Sequence, residues 1–300
     1  MLLTEGPFGY VLLAAVTFLA GAINSVAGGG TILTFPLLTA ILPDTPSRMV
    51  LANVTSTLGL FPGAVASTWA YRREREDLPS WARWLFLPCL AGAIAGAGLL
   101  IVLPPEWFER LVPWLILSAA VLFAVQPQLS KLAVRGAAER PEQPQSASVR
   151  TAMLAQFFVS LYGGYFGAGM GIVMLAMLGA LGLGDIHKLN AVKNLLAMLV
   201  NGMAAAMLAA LALAGYSEVS WPHAALMAVT GSCGSLSGSV LARRMPPKAV
   251  RRIVAAIEFG LAGYYLHQRV KELSQLMPII LAGVFFPEPP SRKGQQTWPT

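Results

Sequence analysis

Ten apolar runs follow one another between residues 8 and 268, and this pattern leaves the chain few ways to fold. They lie at about 8–27, 30–42, 48–71, 82–102, 107–127, 150–168, 170–183, 189–215, 222–242 and 248–268. Several reach the ~20 residues that cross a bilayer as a helix. Lipid offers backbone N–H and C=O groups no partners, so only helices and closed barrels span it. Long strand-like alternation is absent, which argues against a barrel. Charged residues make up only 12% of the chain, against about 25% in a soluble domain. The expected fold is an all-α polytopic membrane protein. It has about 8 transmembrane helices, or up to 10 segments if glycine-broken ones are counted separately.

A glycine motif occurs twice within this pattern. Gly28 and Gly30, in SVAGGGTI (25–32), are answered 141 positions later by Gly169 and Gly171, in FGAGMGIV (166–173). Asn53 and Asn194 keep that offset, and LPPEWFERLV (103–112) is echoed by MPPKAVRRIV (245–254) at 142. Four landmarks in one order indicate a duplicated chain, and duplicated membrane chains place sites between their halves. The expected organisation is a first transmembrane repeat over 1–127 and a cytoplasmic linker over 128–149. A second repeat over 150–270 and a partly disordered tail over 271–300 complete it. The N-terminus lacks the basic start of a signal peptide, so its apolar run counts as structure.

Loop charges orient the halves. Residues 72–83 and 243–252 are rich in arginine, whereas their counterparts, 215–223 and 103–109, contain Arg and Lys nowhere. Basic loops face the cytoplasm, so equivalent loops face opposite sides and the repeats are inverted. The basic tail, with Arg269, Lys271, Arg292 and Lys293, falls outside on this topology, against the rule. The net charge of +7 therefore sets orientation and does not indicate nucleic acid as a partner.

Runs 30–42 and 170–183 are too short to cross a core ~30 Å thick at 1.5 Å per residue. Each is either the end of a glycine-kinked helix or a half-helix whose bare backbone faces a cavity. The helix after each carries the polar side chains: Asn53, Thr55, Ser56 and Thr57 in one repeat, Asn190, Lys193, Asn194 and Asn201 in the other. Asn190, Asn194 and Asn201 share one helical face. Such residues either glue helices together or bind substrate. Lys193 lies about one turn inside an apolar run, where it either snorkels to the interface or joins a helix N-terminus in holding an anion. Glu258 is the one carboxylate well inside a run, and fits either proton coupling or a structural hydrogen bond. Cys89 and Cys233 lie in apolar runs and read as packing, not as disulfide or metal ligands. Histidines at run ends show no ligand spacing. No phosphate-binding glycine loop, HExxH motif or intramembrane aspartate pair is present, so no enzyme, metal or cofactor is expected.

AGAINSVAGGGTILTFPLL (20–38) with ANVTSTLG (52–59), and LYGGYFGAGMGIVML (161–175) with NAVKNLL (190–196), resemble the paired signatures of the TauE/SafE-type sulfite exporter family. The resemblance covers roughly 8–270. It implies a multi-pass permease of the bacterial inner membrane that moves sulfite, sulfonates or related small organic anions. The motif positions it carries over are Gly28, Gly29, Gly30, Asn53, Thr55, Gly167, Gly169, Gly171, Lys193 and Asn194. The chain departs from symmetry in setting Asn24 opposite Tyr165 and Ala52 opposite Lys193, so any anion-binding charge comes from one half only. With Thr57 and Asn190 added, these residues and Asn24 are the expected substrate contacts, and Glu258 the expected coupling residue. The expected partners are a small anion and the lipid bilayer. A membrane accessory subunit that transports nothing is the rival reading.

Overall fold

The computed structural model describes residues 7–26, 30–70, 78–138, 146–183 and 186–241, with isolated positions between 259 and 267. The basic stretches 72–77 and 243–252, Gly28, Gly29, Glu258 and the tail lie outside the described residues. Nine α-helices are found among those described: α1 Pro7–Val26, α2 Thr31–Ile41, α3 Arg48–Ala70, α4 Phe86–Val102, α5 Pro105–Ala138, α6 Ser146–Tyr165, α7 Met170–Ala180, α8 Ile186–Leu213 and α9 Trp221–Leu241. A 3-10 turn, Ser80–Leu85, leads into α4. Among the described residues there is no strand.

Among the described residues, four segments are long and apolar enough to cross a bilayer: Pro7–Ser25, Arg48–Trp69, Ser80–Val102 and Lys188–Leu213. The surface is inverted relative to a soluble protein. Leu87, Val102, Trp114 and Leu154 are more than half exposed, while Asn53, Thr55, Ser56, Gln156, Ser160 and Lys193 are buried. Lipid stabilises the first group where it lies, and the polar groups must find partners inside. The chain is an all-α polytopic membrane protein.

α5 differs from the expected span. It stays helical to Ala138, well into the segment read as a linker. Its 34 residues reach about 50 Å, more than the ~30 Å hydrocarbon core needs. Leu, Ala, Gln, Lys and Arg make up most of 128–138, and these helix formers carry the helix on past Pro127, Ser130, Val134 and Gly136.

The packing has its own regularity. α1 lies along α9 and α6 along α4; α3 packs on α9 and α8 on α4. α1–α2–α3 form one contacting set and α6–α7–α8 another, and α3 meets α8. Exchanging each of α1–α4 with the helix five places on maps every one of these pairings onto another of them. The long pairings α1·α9 and α4·α6 are built on missing side chains. A Cβ at Gly92 or Gly96 would overlap the carbonyl oxygens of Phe157 or Leu161, and one at Gly234 that of Phe18. Gly238 likewise abuts the backbone of Ala22. Gly92-x-x-x-Gly96 and Gly234-x-x-x-Gly238 are 142 positions apart. Small residues at this spacing let helix backbones touch where no hydrophobic effect drives association.

Candidate functional site

Both short helices prove to be half-helices. α2 and α7 have 11 residues each, about 17 Å at 1.5 Å per residue. The break before α7 is built by two glycines in the left-handed region, Gly167 at φ 80° and Gly169 at φ 74°. A side chain there would be strained. The N–H of Gly167 donates to the Tyr162 carbonyl at 3.1 Å, and the Tyr162 hydroxyl donates to the Ala168 carbonyl at 2.6 Å. These bonds hold the turn against the end of α6. Of the break before α2, residues 27–29 lie outside the described residues and Gly30 lies within them. Gly30 has ordinary helical angles, φ −56° and ψ −32°, and is small because a Cβ would lie 2.8 Å from the Ala20 carbonyl oxygen. Its counterpart Gly171 is also helical, but a Cβ there would meet only the Lys193 stem at 3.8 Å, so this matched pair answers different constraints.

The residues flanking the two breaks border one cavity with an open mouth. Asn24 and Thr31 reach it from the first break, and Gly163, Phe166, Gly167, Met170 and Gly171 from the second. α3 contributes Thr57, Leu60, Phe61, Ala64, Ser67 and Thr68, and α8 contributes Lys193, Asn194, Ala197, Met198 and Asn201. Their spacings of three and four residues put each set on one helix face. Buried Phe35 of α2 and Phe108 of α5 back this wall. Phe35 meets Phe166 edge-on at 5.6 Å, and Phe108 meets Tyr165 at 5.5 Å.

Lys193 supplies the cavity's charge. It is 8% exposed, and its stem crosses the bare face of Gly171, where a Cβ would sit 3.8 Å from Cδ. No ion pair joins it to another described residue. The N-termini of α2 and α7 both open on the cavity, through Thr31 and through Met170 and Gly171, and neither carries a side-chain cap. Helix starts leave unpaired N–H groups and a partial positive charge. The cavity is thus electropositive from three directions, with amides and hydroxyls between.

Six expected contacts meet there: Asn24, Thr57, Gly167, Gly171, Lys193 and Asn194. The Thr57 hydroxyl donates to the Asn53 carbonyl at 2.9 Å, which leaves its oxygen lone pairs for other donors. Gly30, Asn53, Thr55, Gly169 and Asn190 lie off the lining. Asn53 instead crosses from α3 to the end of α6, its Nδ2 donating to the Tyr165 carbonyl at 2.9 Å. Thr55 accepts the Ser220 N–H at 3.1 Å, at the start of α9. Ser220 in turn meets His223 Nδ1 at 2.6 Å, and His223 stacks on Tyr10 at 4.8 Å. The residues that patterning did not single out are Thr31, Phe61, Ser67 and Thr68. Counting forward from Thr57 by helical periods reaches the three on α3.

Asn53→Ala is expected to strip the Tyr165 carbonyl of its partner and cost about 1–3 kcal/mol. A lower melting temperature with an unchanged KM for the transported anion is the expected outcome. A raised KM at unchanged melting temperature would instead put Asn53 in the binding site.

Comparison with known proteins agrees with this architecture. The sequence profile of the TauE/SafE sulfite exporter family matches residues 13–265. A probable membrane transporter protein of Haemophilus influenzae is 27% identical over 54% of this chain and 59% of its own length. A probable membrane transporter protein of Sinorhizobium is 30% identical over 39% of this chain and 43% of its own. The probable membrane transporter protein YfcA of Escherichia coli K12 is 26% identical over 53% and 55%. The chain thus spans about half the length of the curated relatives it matches. No solved structure matches. The chain belongs to the TauE/SafE sulfite exporter family.

Proposed function

We propose that this chain is a secondary transporter of a small anion across a bacterial inner membrane, with sulfite, sulfonates and related organic anions as substrates. One observation carries the reading: Lys193, buried and without an ion-pair partner among the described residues, in a cavity onto which two uncapped helix starts open. An unpaired ammonium inside a bilayer is costly, and an anion offsets that cost. Sulfonate and sulfite oxygens match the donors that line the cavity, among them Lys193, backbone N–H groups, and the Asn194 and Asn201 amides. The relatives named as probable membrane transporters support the same class.

The repeats carry the chemistry unequally but the packing almost equally, which favours two inverted repeats with the anion held between them. Access alternates in this reading, and the helix joints favour moving bodies that mix the repeats over one repeat rocking against the other. The backbone-to-backbone joints cross the repeats, α1 to α9 and α4 to α6. The moving bodies are then mixed: α1, α2, α3 and α9 against α4, α6, α7 and α8, with the cavity along the α3–α8 seam.

Uptake into proteoliposomes tests both parts. Labelled sulfite or methanesulfonate is expected to enter saturably and to exchange with unlabelled anion inside. Spin labels at exposed Val11 and Val229, on α1 and α9, are expected to keep their separation when the anion is added. Labels at Val65 and Leu154, on α3 and α6, are expected to change theirs. A chain that copurifies with a partner and moves none of these anions is the accessory-subunit outcome, and overturns the transporter reading.

A further inference from the structure

At one point of the cavity wall a single aromatic ring stands where exchange of the two halves would place two. Phe61 of α3 lines the cavity, and its ring edge lies on Gly202 of α8. A Cβ at residue 202 would fall 2.9 Å from ring Cε2 and 3.2 Å from Cζ. Residues 61 and 202 are 141 positions apart, the offset that relates Asn53 to Asn194. A residue that touches its own counterpart marks where the axis relating two equivalent halves passes. One repeat supplies bulk at that point and the other supplies room. Two phenylalanines would collide there, and two glycines would leave a void.

The ring is also a wall that cannot yield. It already rests on backbone, so an occupant pressing on it cannot push it back into α8. An anion held through its oxygens by Lys193 must turn any apolar substituent toward the cavity's apolar surface, to which Leu60, Phe61, Ala64, Phe166, Met170 and Met198 contribute. We propose that Phe61, seated on Gly202, sets the size of the apolar group that an anion can carry into this site. The inference rests on the transporter reading above and adds a specificity determinant to it. A single methylene in an apolar pocket changes discrimination by roughly 10- to 200-fold, which sets the scale expected here.

The test is uptake of straight-chain alkanesulfonates, methyl through butyl, by the purified chain in liposomes. Wild-type uptake is expected to fall about 10-fold or more at one step of the series. Phe61→Ala is expected to move that step to a longer chain. Gly202→Ala, whose new methyl pushes the ring into the cavity, is expected to move it to a shorter one. Phe61→Ala combined with Gly202→Phe returns a ring to the axis from the other side, and is expected to bring the step back toward wild type. Should Gly202→Ala not fold, Phe61→Ala and the double variant still decide the matter. An unchanged chain-length profile in both of these, with wild-type uptake intact, overturns the proposal alone. Absence of wild-type uptake for sulfite and for the whole series overturns the transporter reading itself.

Discussion

Lys193→Ala is expected to abolish anion uptake at low substrate concentration while leaving the protein as stable as before, or more stable. The two halves of this expectation have one cause. Lys193 is buried, lies on the bare face of Gly171 and has no ion-pair partner among the described residues. A lysine charge costs roughly 2.5–3.5 kcal/mol at a helix centre on insertion scales, and Lys193, five residues into Lys188–Leu213, bears part of that cost. Removing it relieves that cost, so melting in detergent without anion should rise or hold. A hydrogen bond to a charged group contributes about 1.5–3 kcal/mol, so KM should rise about 10- to 100-fold. Thermal stabilisation by added sulfite should disappear with it. A variant that melts lower and transports normally would make Lys193 a structural residue and remove it from the site.

Gly234→Ala is expected to have the opposite profile. Its new methyl would overlap the Phe18 carbonyl oxygen, and both groups are helix backbone. Neither can move without parting α1 from α9, one of the two most extensive helix pairings in the fold. Overpacking of this kind typically costs 1–3 kcal/mol, and occasionally more. A clash between two backbones belongs at the upper end. The expected result is a steep fall in melting temperature, or loss of a monodisperse protein. Gly171→Ala is the control. It lies inside α7 with 3.8 Å to the Lys193 stem, an ordinary contact, and alanine favours a helix by up to about 1 kcal/mol over glycine. Stability should hold or rise in that variant, and any change should fall on anion affinity. Equal destabilisation by both substitutions would refute the view that the glycines of this chain divide between helix joints and cavity walls.

That division was only partly legible in the sequence. The helices, the two breaks and the polar faces of α3 and α8 all follow from local pattern. Apolar runs must become helices in lipid, glycine clusters interrupt them, and residues three and four apart share a face. Lys193 stood out because charge inside an apolar run is expensive. The repeat of Gly92 and Gly96 at Gly234 and Gly238 was readable as well, although not which helix each pair would meet. Asn53 and Asn194 were indistinguishable, being the same residue at matching places. Asn53 became a tie to Tyr165 while Asn194 faces the cavity.

By itself, then, the sequence determined an all-α membrane protein, a doubled pattern with a short glycine-led run in each half, and a lysine inside the run of only one half. These depend on solvent, period and composition, which act within a few turns of chain. Tertiary structure alone decided that the halves are joined through each other, α1 to α9 and α4 to α6. It also decided that Phe61 lies on its own counterpart, Gly202, and which of two matching asparagines faces the cavity. Those outcomes depend on which surfaces, far apart in sequence, fit at backbone distance. In lipid, where the helix surfaces that meet at these joints are apolar like the solvent, that fit is set by the absence of a Cβ, and not by hydrophobicity.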